Sequence, residues 1–238
     1  MVAMAKNNDA QIEALFNVHA HIGHRKNRVH PRARQFMYKF EDGVSIIDLT
    51  KTAEQVNRAT DFLNKLGSSG KNVLVVATKK IVNSFTAELC TKENIPYITA
   101  KWLPGLLTNF ETIMKNVSNL RQLQEDKKNN VWDKFVKHER IQLEKKMNRL
   151  RKWYNGILSL DKFPDALLII DSKREHNALT EAQQFKIPVV SIVDTNSDPF
   201  KVPYPIVAND DSADSVEYIL NELISAYTNG RQTQKKVA

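Results

Sequence analysis

Residues 164–199 read PDALLIIDSKREHNALTEAQQFKIPVVSIVDTNSDP, and their pattern decides the fold. Ala166 to Ile170 is a continuous apolar run that starts just after Pro164 and ends in Asp171. Val189 to Val193 is a second run, rich in β-branched residues and again closed by an acid, Asp194. The segment between them sets Ala178, Leu179, Ala182 and Phe185 at helical steps and stops at Pro188. Two unbroken apolar strands about one helix apart predict a βαβ unit whose sheet is buried on both faces. Such a unit crosses over right-handed and needs further strands and helices to cover it. Asp171 and the polar turn Asp194-Thr195-Asn196-Ser197-Asp198 then fall at the carboxyl ends of the strands, the edge where open α/β sheets bind ligands.

Working outward, Val73 to Ala77 is a third buried apolar run, followed by Thr78-Lys79-Lys80 and a predicted helix over Ile81 to Glu93. The lysines place a possible phosphate seat at that helix's start. Tyr97 to Thr99 and Tyr204 to Val207 read as further short strands. Phe36 to Phe40 and Val44 to Asp48, joined by Glu41-Asp42-Gly43, carry a hairpin signal. A helix is expected over Leu49 to Leu66, with Thr50 or Thr52 as its cap and Gly67 as its stop. Another runs from Ala213 to about Tyr227 after the capping stretch Asn209-Asp210-Asp211-Ser212, and ends near Gly230.

A different texture interrupts the sheet. Phe110, Ile113, Val117, Leu120 and Leu123 recur at helical steps, and so do Ile141, Leu143, Met147, Leu150, Tyr154 and Ile157 after the polar gap Glu125 to Asn130. Two helices of about twenty residues make a hairpin about 30 Å long. Between Glu111 and Asn155 it carries twelve Lys and Arg against six Asp and Glu. The expected organisation is therefore 1–105 for the first part of an α/β domain, 106–158 for an inserted helical hairpin, 159–230 for the second part, and 231–238 for a mobile basic tail.

The chain of 238 residues has a formal charge of +8. The densest cationic stretch is VHAHIGHRKNRVHPRARQF. From Asn17 to Phe40 it holds Arg25, Lys26, Arg28, Arg32, Arg34 and Lys39 with four histidines and no acid. Gly23 and Pro31 mark it as a loop. Six cations without counter-charges repel one another unless an anion neutralises them, and nucleic-acid phosphates do this well. Arg25, Lys26, Arg28, Arg32 and Arg34 are the first-rank candidates for RNA contact, with Lys79, Lys80 and Lys101 behind them at predicted strand ends. Trp102 beside Pro104 reads as a packed side chain rather than a base-stacking one. His19, His21, His24 and His30 invite a metal reading with the distant turn at Asp194 to Asp198, but no cysteine lies close, and no metal site is assigned.

Enzyme signatures are missing. No Gly-x-Gly-x-x-Gly follows a predicted strand, no phosphate-cradling Gly-x-x-x-x-Gly-Lys-Ser/Thr occurs, and no Gly-x-Ser-x-Gly elbow appears among the seven glycines. The one cysteine, Cys90, excludes an internal disulfide and suits a reducing compartment. No apolar run is long enough to span a membrane, and the amino terminus has no apolar targeting segment. A cytoplasmic protein is expected, with no catalytic residues and no cofactor. The alternatives are a nucleotide-dependent α/β enzyme and a free-standing RNA-binding regulator.

Several stretches together resemble the ribosomal protein S2 family of the small subunit, in its bacterial and organellar form. They are Val18 to His24, Ile46 to Thr52, Val73 to Lys80, Trp102 with Gly105 to Asn109, Pro164 to Pro188, Asp194 to Pro199, and Ala208 to Asp211. The order is the family's order, and the match covers roughly residues 10 to 228. Lys101 and Pro104 stand where Arg and Gly are usual, and Val29-His30-Pro31 replaces Trp-Asn-Pro. The resemblance implies a flavodoxin-like parallel sheet with helices on both faces and an inserted coiled-coil hairpin. It implies a structural protein of the small ribosomal subunit, on its solvent side near the neck. The implied partners are small-subunit rRNA, neighbouring ribosomal proteins and, in many bacteria, the large mRNA-binding ribosomal protein S1. No membrane partner and no homo-oligomer is expected.

Overall fold

The computed structural model describes the backbone of residues 2–237 and the side chains of residues 9–234. Five strands form a parallel sheet: β4 (Val73–Val76), β5 (Tyr97–Ile98), β6 (Ala166–Ile170), β7 (Val189–Val193) and β8 (Tyr204–Val207). Their spatial order is β5-β4-β6-β7-β8, so the chain reverses direction across the sheet between β4 and β6, as in flavodoxin-like folds. Alternation explains why these strands read as unbroken apolar runs. Val73, Val75, Leu168, Ile170, Val190 and Ile192 enter one core layer, while Leu74, Val76, Leu167, Ile169, Val189 and Val193 enter the other. Both faces are dry, so the three central strands are apolar throughout apart from Ser191 in β7, whose hydroxyl donates to the Ile192 carbonyl at 3.1 Å.

The first layer is covered by α2 (Leu49–Ser68), α3 (Asn83–Lys92) and α7 (Ala213–Val237), with Leu15 of α1 (Val2–Asn17). The second is covered by α6 (His176–Gln184) and by the root of the hairpin, including Trp102, Leu106, Val117 and Ile157. The hairpin itself is α4 (Phe110–Lys128) and α5 (Lys137–Tyr154), closed by a 3-10 turn over Val131–Lys134. Leu120, Leu123, Trp132 and Met147 form its own small core.

Local details depart from expectation in instructive ways. The basic segment is not wholly a loop. Residues Ile22–Arg25 form β1, which pairs antiparallel with β3 (Val44–Ile47), and β3 pairs with β2 (Met37–Glu41) as the hairpin signal predicts. Asp48, not a threonine, caps α2 by accepting from the Thr50 amide at 3.1 Å, which frees the Thr52 hydroxyl to donate to the Val207 carbonyl at 2.7 Å. Phe185 lies beyond the end of α6 and is exposed, because Lys186 turns into the left-handed region. Ile141 faces outward on α5, and the polar gap is filled by helix as far as Lys128. Gly67 and Gly230 do not end their helices. A Cβ at Gly230 would overlap the Asn64 carbonyl, and one at Gly67 the Tyr227 carbonyl, so the pair lets α2 and α7 touch backbone to backbone. Helix α7 accordingly continues to Val237 where a tail is expected from residue 231, and Arg231 donates to the Glu93 carbonyl at 3.2 Å. Ala238 lies outside the described residues.

Candidate nucleic-acid interface

The turn after β7 holds the basic segment in place. The Thr195 hydroxyl accepts from the His24 amide at 2.9 Å, and the Thr195 carbonyl accepts from the His30 amide at 2.8 Å. Ser45 of β3 donates to the His24 carbonyl at 2.8 Å and lies 3.2 Å from the Thr195 hydroxyl. Gly23 makes this approach possible, because a Cβ there would stand 2.5 Å from Ser45 Oγ and 2.8 Å from Thr195 Cγ2. His24 Nδ1 meets Asp194 Oδ2 at 3.0 Å, and its Nε2 lies 2.8 Å from the Asn196 amide nitrogen. Arg32 donates to Asp198 at 3.0 Å. Every polar residue of the turn therefore has a partner, and the basic segment supplies several of them.

Held this way, the cations point outward. Arg25, Lys26, Arg28 and Arg34 are exposed and form no ion pair with any described residue. Arg25 and Arg28 line one cleft of about 460 Å³ with His24, Asp194, Asn209 and Asp211. Arg32 and Arg34 line a second, more open recess of about 690 Å³ with Pro31, Gln35 and Phe200. Lys26 lies 5.6 Å from the ring centre of Phe40. Lys80 and Lys101 are exposed beyond β4 and β5, at the far side of the sheet, and line neither recess.

Lys79 is different. It occupies the point where the sheet reverses, its side chain is 12% exposed, and its ammonium is held by Asp210 at 2.6 Å, Asp211 at 2.8 Å and Asp171 at 3.5 Å. Its charge is spent inside the protein, which corrects its place among the RNA contacts. Burial lowers the proton affinity of Lys79, but Asp210, Asp211 and Asp171 outweigh it and the pKa rises. Burial, with the Asp171 and Asp194 carboxylates adding to it, pushes Asp210 up to about 7, against the pull of Lys79. Asp211 is held low by its hydrogen bond to Lys79. Beside this group, Thr78 donates to the buried Glu175, whose carboxyl is raised by burial, and accepts from Arg174 Nε at 3.0 Å. At the point where a flavodoxin-like enzyme would bind a nucleotide, these side chains are engaged with one another.

The hydrogen bond to Asp194 raises His24 against the cost of burial, and Asp211 adds to it at 3.6 Å. Ligand atoms of His24, Asp194 and Asp211 lie within 4.8 Å of one another and are the described residues able to hold a divalent cation together. The other histidines stand apart. His21 stacks on Phe16 at 4.4 Å and is lowered by burial, and His30 Nδ1 accepts from the Arg32 amide at 3.3 Å.

One acid was not singled out in the sequence. Glu181 of α6 accepts from Trp102 Nε1 at 3.0 Å and from the amides of Gly105, Leu107 and Thr108 at 2.9, 3.0 and 3.4 Å. It pins the loop that leads into the hairpin and confirms Trp102 as a packed residue, 3% exposed. Nothing in its sequence neighbourhood distinguishes it from a solvated helix residue.

The family model for ribosomal protein S2 matches residues 15–230. The chain belongs to the ribosomal protein S2 family. Among curated relatives, the small ribosomal subunit protein uS2 of Flavobacterium johnsoniae is 37% identical over 97% of this chain and 92% of its own length. The uS2 of Karelsulcia muelleri is 36% identical over 90% of this chain and 97% of its own, and that of Chlorobium chlorochromatii is 35% identical over 93% and 88%. Membership in the S2 family sets aside the nucleotide-dependent enzyme and agrees with the parallel sheet. Among the described residues, no helix is long and apolar enough to cross a membrane.

Proposed function

We propose that this chain is a structural constituent of the small ribosomal subunit, in the cytoplasm, and that the outward-facing cations of residues 25–34 attach it to small-subunit rRNA. The relatives' printed names support the subunit, and the unpaired charges support the attachment. Arg25, Lys26, Arg28 and Arg34 neutralise phosphates and release counterions, with Arg32 contributing the donors not taken by Asp198. Arginine grips phosphate through two parallel hydrogen bonds, which suits recognition of folded RNA shape more than base sequence. Lys80 and Lys101 form a second, separate patch for the same chemistry. The hairpin, with its twelve cations against six acids, serves as an arm toward RNA or neighbouring ribosomal proteins, the mRNA-binding protein S1 among them.

The observation that carries this reading is the contrast between a fully paired turn and the four cations built upon it, Arg25, Lys26, Arg28 and Arg34, that form no ion pair with any described residue. Sucrose-gradient sedimentation of cell extract tests it. The chain is expected in the small-subunit peak, with its occupancy falling as salt rises. A chain that stays at the top of the gradient at every salt concentration contradicts the assignment.

A further inference from the structure

Phe200 is an unusual side chain for its position. It sits on the 3-10 turn Pro199–Lys201 that follows the paired turn, yet it is 59% exposed. A large aromatic ring at such a place forgoes most of the stabilisation that burial would give it. Its one aromatic neighbour, Phe36, lies 6.2 Å away at 44°, a tilted contact rather than a stack. Around it stand cations. Arg32, Arg34 and Gln35 share its recess, and Lys201 follows it in the chain and lines a neighbouring cleft with His30, Lys173 and His176.

These neighbours are anchored unequally. Asp198 caps the turn by accepting from the Phe200 amide at 3.1 Å and also accepts from Arg32 at 3.0 Å. One carboxylate therefore ties the backbone that carries the ring to one guanidinium. Arg34 has no such tie and faces solvent, leaving its full charge for an anion. A positioned aromatic face, flanked by guanidinium groups and open to water, fits a nucleotide whose base has left its helix. The base stacks on the ring and its phosphate meets Arg34.

We propose that Phe200, with Arg34 and Arg32, forms a seat for one unpaired RNA nucleotide. The seat rests on the reading that the basic segment contacts RNA, and adds to it a stacking contact that is sequence-tolerant and insensitive to salt. Stacking needs a π-face and not a particular hydrogen-bond pattern, so any base serves. RNA is the partner favoured because Arg32 and Arg34 share the ring's recess and Lys201 adjoins it, which supplies the positive charge a phosphate needs beside a stacked base.

The full chain is titrated with a single-stranded RNA of about a dozen nucleotides carrying a fluorescent adenine analogue, and with an RNA duplex of the same length. Phe200→Ala is expected to weaken single-strand binding roughly ten-fold with an unchanged salt slope, and to leave duplex binding as it was. Phe200→Tyr retains binding and the fluorescence change. Phe200→Leu keeps an apolar side chain against Phe36 but loses the stack, and is expected to behave like Phe200→Ala while melting at the wild-type temperature. Arg34→Ala flattens the salt slope by roughly 0.7. If wild type binds with a steep salt dependence but Phe200→Leu binds the single strand equally well, the seat is refuted and the phosphate attachment stands. If wild type binds neither RNA, the attachment itself fails and the seat with it. If Phe200→Leu leaves RNA affinity intact and instead lowers entry of the protein into small subunits, the ring contacts a protein and the proposal is overturned.

Discussion

Lys79 and Arg34 carry the same formal charge and live in opposite surroundings. Lys79 is surrounded by Asp171, Asp210 and Asp211 at the point where the sheet reverses, and Arg34 faces water with no ion-pair partner among the described residues. The first charge is bound to the fold and the second is available to a partner. Position relative to the carboxyl ends of the strands separates them. The segments after β6, β7 and β8 supply the acids Asp171, Asp194, Asp210 and Asp211, and the segment after β4 supplies Lys79. The basic segment is anchored by its backbone to the turn after β7, with most of its cations outward. A cation's contribution is set by whether the fold has already desolvated and paired it.

If that separation is correct, removing an inward charge damages stability and removing an outward one damages binding. The largest effect is expected at Lys79. Lys79→Met leaves three carboxylates crowded without a counter-charge and is expected to destabilise the protein by about 3 kcal/mol, read by denaturant unfolding. A loss below about 1 kcal/mol would mean that Lys79 is less committed to the fold than its contacts indicate. Glu181→Ala comes next. It strands the indole and three amides at the base of the hairpin and is expected to cost about 2 kcal/mol, with increased amide exchange at Gly105, Leu107 and Thr108.

A smaller effect concerns His24, which sits between the two regimes. Its folded pKa is raised above 6.5, chiefly by the hydrogen bond to Asp194. The native state therefore holds that proton more tightly than the unfolded chain, and the stabilisation is complete below about pH 6.5 and is lost as pH rises through the raised value. Unfolding free energies of wild type and His24→Gln, compared across this range, are expected to converge as pH rises. Asp210, pushed up to about 7, acts on His24 as well, so the difference reads the His24 proton together with that coupling. Curves that stay parallel would place His24 outside the electrostatic latch.

The central strands were legible because each is an apolar run, broken only by Ser191 in β7, and the flavodoxin-like arrangement of the sheet came from the family resemblance. The hairpin was legible from helical periodicity, although Trp132, in the 3-10 turn just after the polar gap, closes its small core and gives no periodic signal. Helix ends were read less well, for a shared reason. Gly67 and Gly230 look like stops when considered alone, and only the crossing of α2 and α7 explains them as points of backbone contact. The candidate interface was half legible. Clustering of like charge singled out Arg25 to Arg34, but position at a predicted strand end also brought in Lys79, whose three acidic partners lie 92, 131 and 132 positions away in sequence and come together only through the fold. Phe200 carries no sequence signal, because exposure of an aromatic cannot be read from its neighbours along the chain.

The most direct test of the account is the salt dependence of binding to small-subunit RNA for wild type and for a variant with Arg25, Arg28 and Arg34 all replaced by alanine. Each lost phosphate contact is expected to flatten the slope of log affinity against log salt by about 0.7 to 0.9, so the variant should lose roughly 2 in slope. Its melting temperature should stay at the wild-type value, since none of the three side chains is paired within the fold. An unchanged slope, or a variant that melts early, would contradict the claim that these cations are held outward for RNA.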